Sequence, residues 1–129
     1  MAAHTGENWL QIETGKAADS TMGGKLFVKY NSASELAYEL CDAQGEMAHG
    51  VNAFDGVSGD ILTIVKSGVV EVECSEAISL HEQVTTQNDG TAMGAVSGDH
   101  VLGICLRETS GTGEYALVEL SLPGIEEVA

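Results

Sequence analysis

Residues 57–74, VSGDILTIVKSGVVEVEC, decide the fold class. β-Branched residues dominate 61–65 and 69–74. Val70, Val72 and Cys74 alternate with Glu71, Glu73 and Ser75, the period-2 pattern of a strand with one face in a core and the other in water. Gly59-Asp60 punctuates the entry, and Lys66-Ser67-Gly68 supplies a residue that tolerates positive φ where a chain reverses. The stretch therefore predicts two short strands and a turn, a β-hairpin, and an all-β protein.

Outward from this unit the pattern repeats. On the N-terminal side, Lys25–Tyr30 alternates Leu26, Val28 and Tyr30 against Lys25, Phe27 and Lys29, which starts a sheet. Residues 34–41 fit a helix through Leu36 and Leu40, and a strand through Leu36, Tyr38 and Leu40. The turn residues Asp42-Ala43-Gln44-Gly45 ahead of Met47–Val51 favour a second hairpin. On the C-terminal side, 77–80 and 83–86 are short strand candidates leading to Asn88-Asp89-Gly90, a strong turn signal. Val101–Leu106 and Tyr115–Leu122 flank Ser110-Gly111-Thr112-Gly113 as a final hairpin. Val57-Ser58-Gly59-Asp60 recurs as Val96-Ser97-Gly98-Asp99, which reads as reuse of one good turn, because two copies fall short of a repeat architecture.

The 129 residues suit one domain with a real core. Sixteen Gly against one Pro, with 43% hydrophobic residues, fits short strands joined by many turns. A net charge of −15 repels a phosphate backbone, so neither nucleic acid nor an anionic membrane is expected as a partner. The charge is uneven: residues 1–30 hold three acids and three bases, leaving 17 acids and two bases for the rest. The start has no basic region followed by an apolar one, so a soluble product made in the cytoplasm is expected. Cys41, Cys74 and Cys105 lie in or beside apolar runs and are expected as reduced core residues.

No constellation for chemistry emerges, and no enzyme, cofactor or metal is expected. His4, His49, His81 and His100 have no paired spacing, no GxSxG elbow marks a nucleophile, and no Lys follows the Ser110–Gly113 loop to make a phosphate cradle. Lys66, at the tip of the expected hairpin, is placed as in lipoyl and biotinyl carrier domains, although Val65 and Ser67 do not match their motifs. Residues 1–24 have no periodicity and one apolar knot, Trp9, Leu10 and Ile12, which fits a disordered tail or a docking arm equally.

The order of elements from Leu36 to Leu122 resembles the capsid decoration, or cement, proteins of tailed bacteriophages. The likeness rests on Tyr38-Glu39-Leu40 with Asp42-Ala43-Gln44-Gly45-Glu46, then His49-Gly50-Val51, Ser58-Gly59-Asp60 and Ser67-Gly68-Val69-Val70. Val84 with Asn88-Asp89-Gly90, Val101-Leu102-Gly103 and Leu117–Leu122 complete it. The resemblance implies a compact β-barrel or tulip-like domain (25–124), an extended N-terminal arm (1–24) and a loose acidic tail (125–129). It also implies a homotrimer at local threefold positions of the outer capsid surface of the virion, clamping neighbouring major capsid subunits. The capsid-binding residues of such an arm would be Trp9, Leu10, Ile12 and Lys16, adding a strand to an exposed sheet edge. The competing expectation is a carrier or binding domain with Lys66 as the attachment point.

Overall fold

The structure, a computed structural model, describes residues 6–122. His4 and the acidic tail 125–129 lie outside the described residues. The described chain is all-β, with eleven strands: β1 Asn8–Ala17, β2 Thr21–Met22, β3 Leu26–Tyr30, β4 Ala37–Leu40, β5 Gly50–Asn52, β6 Gly56–Val57, β7 Ile61–Glu73, β8 Gln83–Thr86, β9 Ala92–Gly94, β10 Gly103–Arg107 and β11 Tyr115–Leu120. Nine of them form one sheet in the order β1-β4-β3-β5-β7-β11-β10-β8-β9, while β2 pairs with β6.

The expected hairpin at 57–74 is corrected to a single strand, β7, of 13 residues. Gly68 has the expected positive φ, 108°, yet the chain bends there and runs on. The reason is non-local: β1 lies antiparallel along β7, from Asn8↔Val69 to Lys16↔Ile61, and holds both halves in line. The register slips twice within this ladder, leaving Leu10 extra on β1 and Lys66 extra on β7, so that the two bulges cancel.

These bulges have a consequence for packing. An extra residue reverses which face the following side chains take. Leu62 and Ile64 enter a small core with Ala17, Met22, Val28 and Tyr38, whereas Val70, Val72 and Cys74 enter a larger core with Phe27, Val51, Val65, Val84, Leu102, Cys105, Ala116 and Val118. Strand β7 also closes two rings. In the first, β7 pairs with β5 and β1, β5 with β3, β3 with β4, and β4 runs parallel to β1. In the second, β7 pairs with β11 and the sheet continues through β10 and β8 to β9, which returns to β7 through a Cys74↔Ala92 bridge. The small core fills the first ring. The larger core fills the second and the seam where β3, β5 and β7 turn their other faces. Adjacent Phe27 and Val28 are both fully buried because β3 stands between the two cores.

Other expectations divide in the same way. The β10–β11 hairpin is present, and β8 and β9 join across the Asn88-Asp89-Gly90 turn. β4 and β5 do not make the second hairpin, because β3 lies between them. Of 77–80 only Ile78 joins the ladder, through an isolated bridge to Thr109. The two Val-Ser-Gly-Asp copies fold alike: Asp60 Oδ2 accepts from Val57 N and Asp99 Oδ2 from Val96 N, both at 2.9 Å, with Gly59 and Gly98 at φ 89° and 94°. Each Asp carboxylate locks its own turn by reaching back to the amide three residues before it, while its own N–H donates to the carbonyl of that same residue. All three cysteines are free and buried.

The segment expected as an aperiodic arm is, in its described part, structural. Residues 8–17 are β1, and Met22 is fully buried in the small core. Period-2 burial is hidden in β1, a stave of the first ring, because only Gly15 and Ala17 are buried, while most of the other side chains face solvent. A side chain at Gly15 would collide with the Tyr38 ring.

Candidate functional site

The four residues singled out from the sequence all lie on β1, and the structure divides them. Trp9 is half-buried against the larger core, its ring edge-on to Phe54 at 6.1 Å, with Nε1–H donating to Glu7 Oε2 at 3.3 Å. Leu10, the bulge residue, is 70% exposed. Beyond it, Ile12, Thr14 and Lys16 alternate onto the outer face of the first ring, opposite Val65, Thr63 and Ile61 of β7. Val65 is covered by the larger core, whereas toward the other end of the ladder the face is open.

At that open end two apolar residues missed as site residues join Lys16. Ile61, opposite it on β7, is 67% exposed, and Leu36, just before β4, is 82% exposed. Leu36 is placed by β4 running parallel to β1, with its carbonyl accepting from Lys16 N at 2.8 Å. Between them is a groove of about 280 Å³ lined by Thr14, Gly15, Lys16, Glu35, Leu36 and Ile61. Leu36 and Ile61 are 25 residues apart in sequence and meet only through the β1 pairings, so no local pattern could have joined them.

A second cluster closes one end of the first ring. Lys66, instead of standing at a hairpin tip, sits within β7 with its side chain 13% exposed. Its Nζ donates to Tyr30 Oη at 2.8 Å and Tyr38 Oη at 3.4 Å, lies 4.6 Å from the Tyr30 ring centroid, and pairs with Glu13 at 3.8 Å. Tyr38 Oη donates in turn to Glu13 Oε1 at 3.2 Å. Burial first, and then the Glu13 charge, pushes the Tyr38 hydroxyl well above its ordinary value. His49 stacks on Tyr30 at 4.0 Å, and its Nδ1 accepts from Tyr30 N at 3.0 Å, which fixes the neutral Nε2–H form. Burial, then the Lys66 charge, lowers the His49 pKa. An amine held by two phenols and a carboxylate is a staple between β1, β3, β4 and β7. The carrier reading, which needs Lys66 presented on a free tip, is corrected on this geometry.

What the fold defines is an all-β domain of two rings on one common strand, with an open outer face at β1. No protein-family model matches the chain, and no curated protein matches it. Among solved structures, its fold is similar to that of the head fiber gp8.5 N base of bacteriophage phi29. The TM-score is 0.70, with 19% sequence identity over 91% of this chain and 98% of that one. At that identity the likeness is one of fold.

Proposed function

We propose that this chain is a structural protein of a tailed-phage virion that attaches to the outer surface of the head and, as a trimer at local threefold positions, clamps neighbouring major capsid subunits. The observation that carries the reading is the fold likeness to a phage head-fiber base, which extends over nearly the whole of both chains. The acidic body and the open β1 face support it. A surface with Leu10, Ile12, Leu36 and Ile61 all more than half exposed is of the kind that proteins keep for association. In this reading the chain carries no catalysis, cofactor or metal, and it meets the major capsid protein through β1, with Trp9, Leu10, Ile12 and Lys16 at or beside the contact. Fifteen net negative charges oppose self-association in solution, so the trimer forms on the head and is favoured by added salt.

The experiment is to mix the full chain with expanded, undecorated heads of the phage that encodes it, co-sediment the mixture and image the particles. Saturable binding with density at local threefold positions is expected. Ile12→Ser, at an exposed outward position of β1, weakens it by roughly tenfold or more, and Trp9→Ala, which also unpacks the larger core, is compared beside its melting curve. Absence of wild-type binding, or binding confined to the tail, refutes the reading.

A further inference from the structure

We infer that the groove between Leu36 and Ile61 receives an apolar side chain of the partner protein that is followed by a carboxylate, which Lys16 pairs. The inference rests on the head-attachment reading and supplies the chemistry of the acceptor.

Three observations converge. The first is charge: the chain has 20 acids for five bases, and four of the five bases have an acid within ion-pair distance. Lys25 and Arg107 pair with Glu71, Lys29 with Asp42 and Glu46, and Lys66 with Glu13. Among the described residues Lys16 alone has none. A lone cation on so acidic a protein is complementary to a partner carboxylate, while the surrounding negative field disfavours an acidic stretch anywhere else on the surface. The second is shape and polarity. The groove, about 280 Å³ against ~30 Å³ for a water, is lined by Leu36 and Ile61 with Thr14, Gly15, Lys16 and Glu35, so an aliphatic side chain fits against Leu36 and Ile61, and the carboxylate that follows must lie on the Lys16 side, away from Glu35. The third is strain. Leu36 holds φ 55°, the left-handed region that a leucine rarely takes, and in doing so projects an apolar side chain into solvent. Folding alone favours Gly or Asn at that position. Lys25 and His81 also hold positive φ, so what marks Leu36 is the combination of that backbone with an exposed apolar side chain, which folding does not use.

The test uses the full chain, the same expanded heads, and four variants: Leu36→Gly, Ile61→Ser, Lys16→Met and Lys16→Arg. Leu36→Gly is expected to keep or raise the melting temperature and to weaken head binding by roughly tenfold or more. Ile61→Ser weakens it similarly, with the fold retained. Lys16→Met keeps the stem and weakens binding roughly fivefold at low salt, a deficit that shrinks as salt is added, while Lys16→Arg restores binding. If wild-type chain binds heads and these variants bind as well as it does, the inference fails and the attachment reading stands. If the wild type does not bind, both fail. A large drop in melting temperature for Leu36→Gly makes Leu36 a packing residue and overturns the assignment. So does loss of contacts between copies on the imaged head with the amount bound unchanged, which makes the groove a contact between copies.

Discussion

Gly68→Ala is expected to destabilise the protein by about 4–6 kcal/mol, well beyond the usual effect of a glycine substitution. Any L-residue in the left-handed region costs about 1–2 kcal/mol, and Gly68 is at φ 108°. Gly59, at φ 89°, shares that term, but a Cβ there meets nothing within 4 Å. At Gly68 the added carbon overlaps the Asn8 carbonyl oxygen and lies 2.7 Å from Leu10 N, both of them backbone atoms that cannot rotate away. Relief requires the start of β1 to leave β7, releasing the Asn8↔Val69 and Trp9↔Gly68 pairings. Each lost backbone hydrogen bond contributes about 1 kcal/mol, and unpacking half-buried Trp9 about 1–2 kcal/mol more. Gly59→Ala, as the control, should lose only about 1–2 kcal/mol. Equilibrium urea unfolding followed by fluorescence of Trp9, the only tryptophan, measures both. Equal losses in the two variants would refute the account of β7 as a strand bent in place by β1.

His49 carries a folded pKa below its unfolded value, so the unfolded chain binds the extra proton first, and stability falls as pH drops through about 6.5 and below. In His49→Asn, with an amide oxygen to accept from Tyr30 N, that part of the acid loss disappears in urea midpoints measured from pH 8 to 5; an unchanged slope counts against it. Burial pushes the Cys41 thiol up to about 12 and raises those of Cys74 and Cys105. The folded protein thus keeps protons that unfolded thiols lose near pH 9, stability falls as pH rises above that value, and alkylation at pH 8 should find no reactive thiol until denaturant exposes three. Lys66→Met, which keeps the stem but removes the amine between Tyr30, Tyr38 and Glu13, should lower stability by about 1–2 kcal/mol. A melting temperature equal to wild type would show that the staple contributes nothing.

The strand content was legible because it is local: alternation in 69–74 and 115–122 and the Asn88-Asp89-Gly90 turn depend on neighbours in sequence. The continuity of β7 was not. A positive-φ glycine serves a reversal and an in-line bulge equally, and the choice is made by β1, whose Trp9 lies 59 residues upstream of Gly68. The same non-local ladder turned an apparent arm into a ring-closing strand, whose outward apolar residues gave it no recognisable period. Of the candidate site, Ile12 and Lys16 could be read from the sequence because they share one strand. Leu36 looked like a core position of either a helix or a strand, and its exposure follows from a left-handed backbone that no propensity foretells. Phe27 and Val28 show the same limit from the other side, since two cores back to back erase the polar half of a strand's alternation.

Strand β7 serves the first ring with residues 61–65 and the second with 69–73, while the larger core joins Phe27, Val51 and Val65 to Val70, Val72 and Val118 across that divide. Fragments cut within β7 therefore each leave half of that core bare and should rescue each other only when mixed, and heating the intact chain should give one transition. There is also a mechanical side to this. A load entering at β1 reaches β11 along a ladder sheared lengthwise, in which many backbone bonds must break together. A protein built that way yields late and all at once.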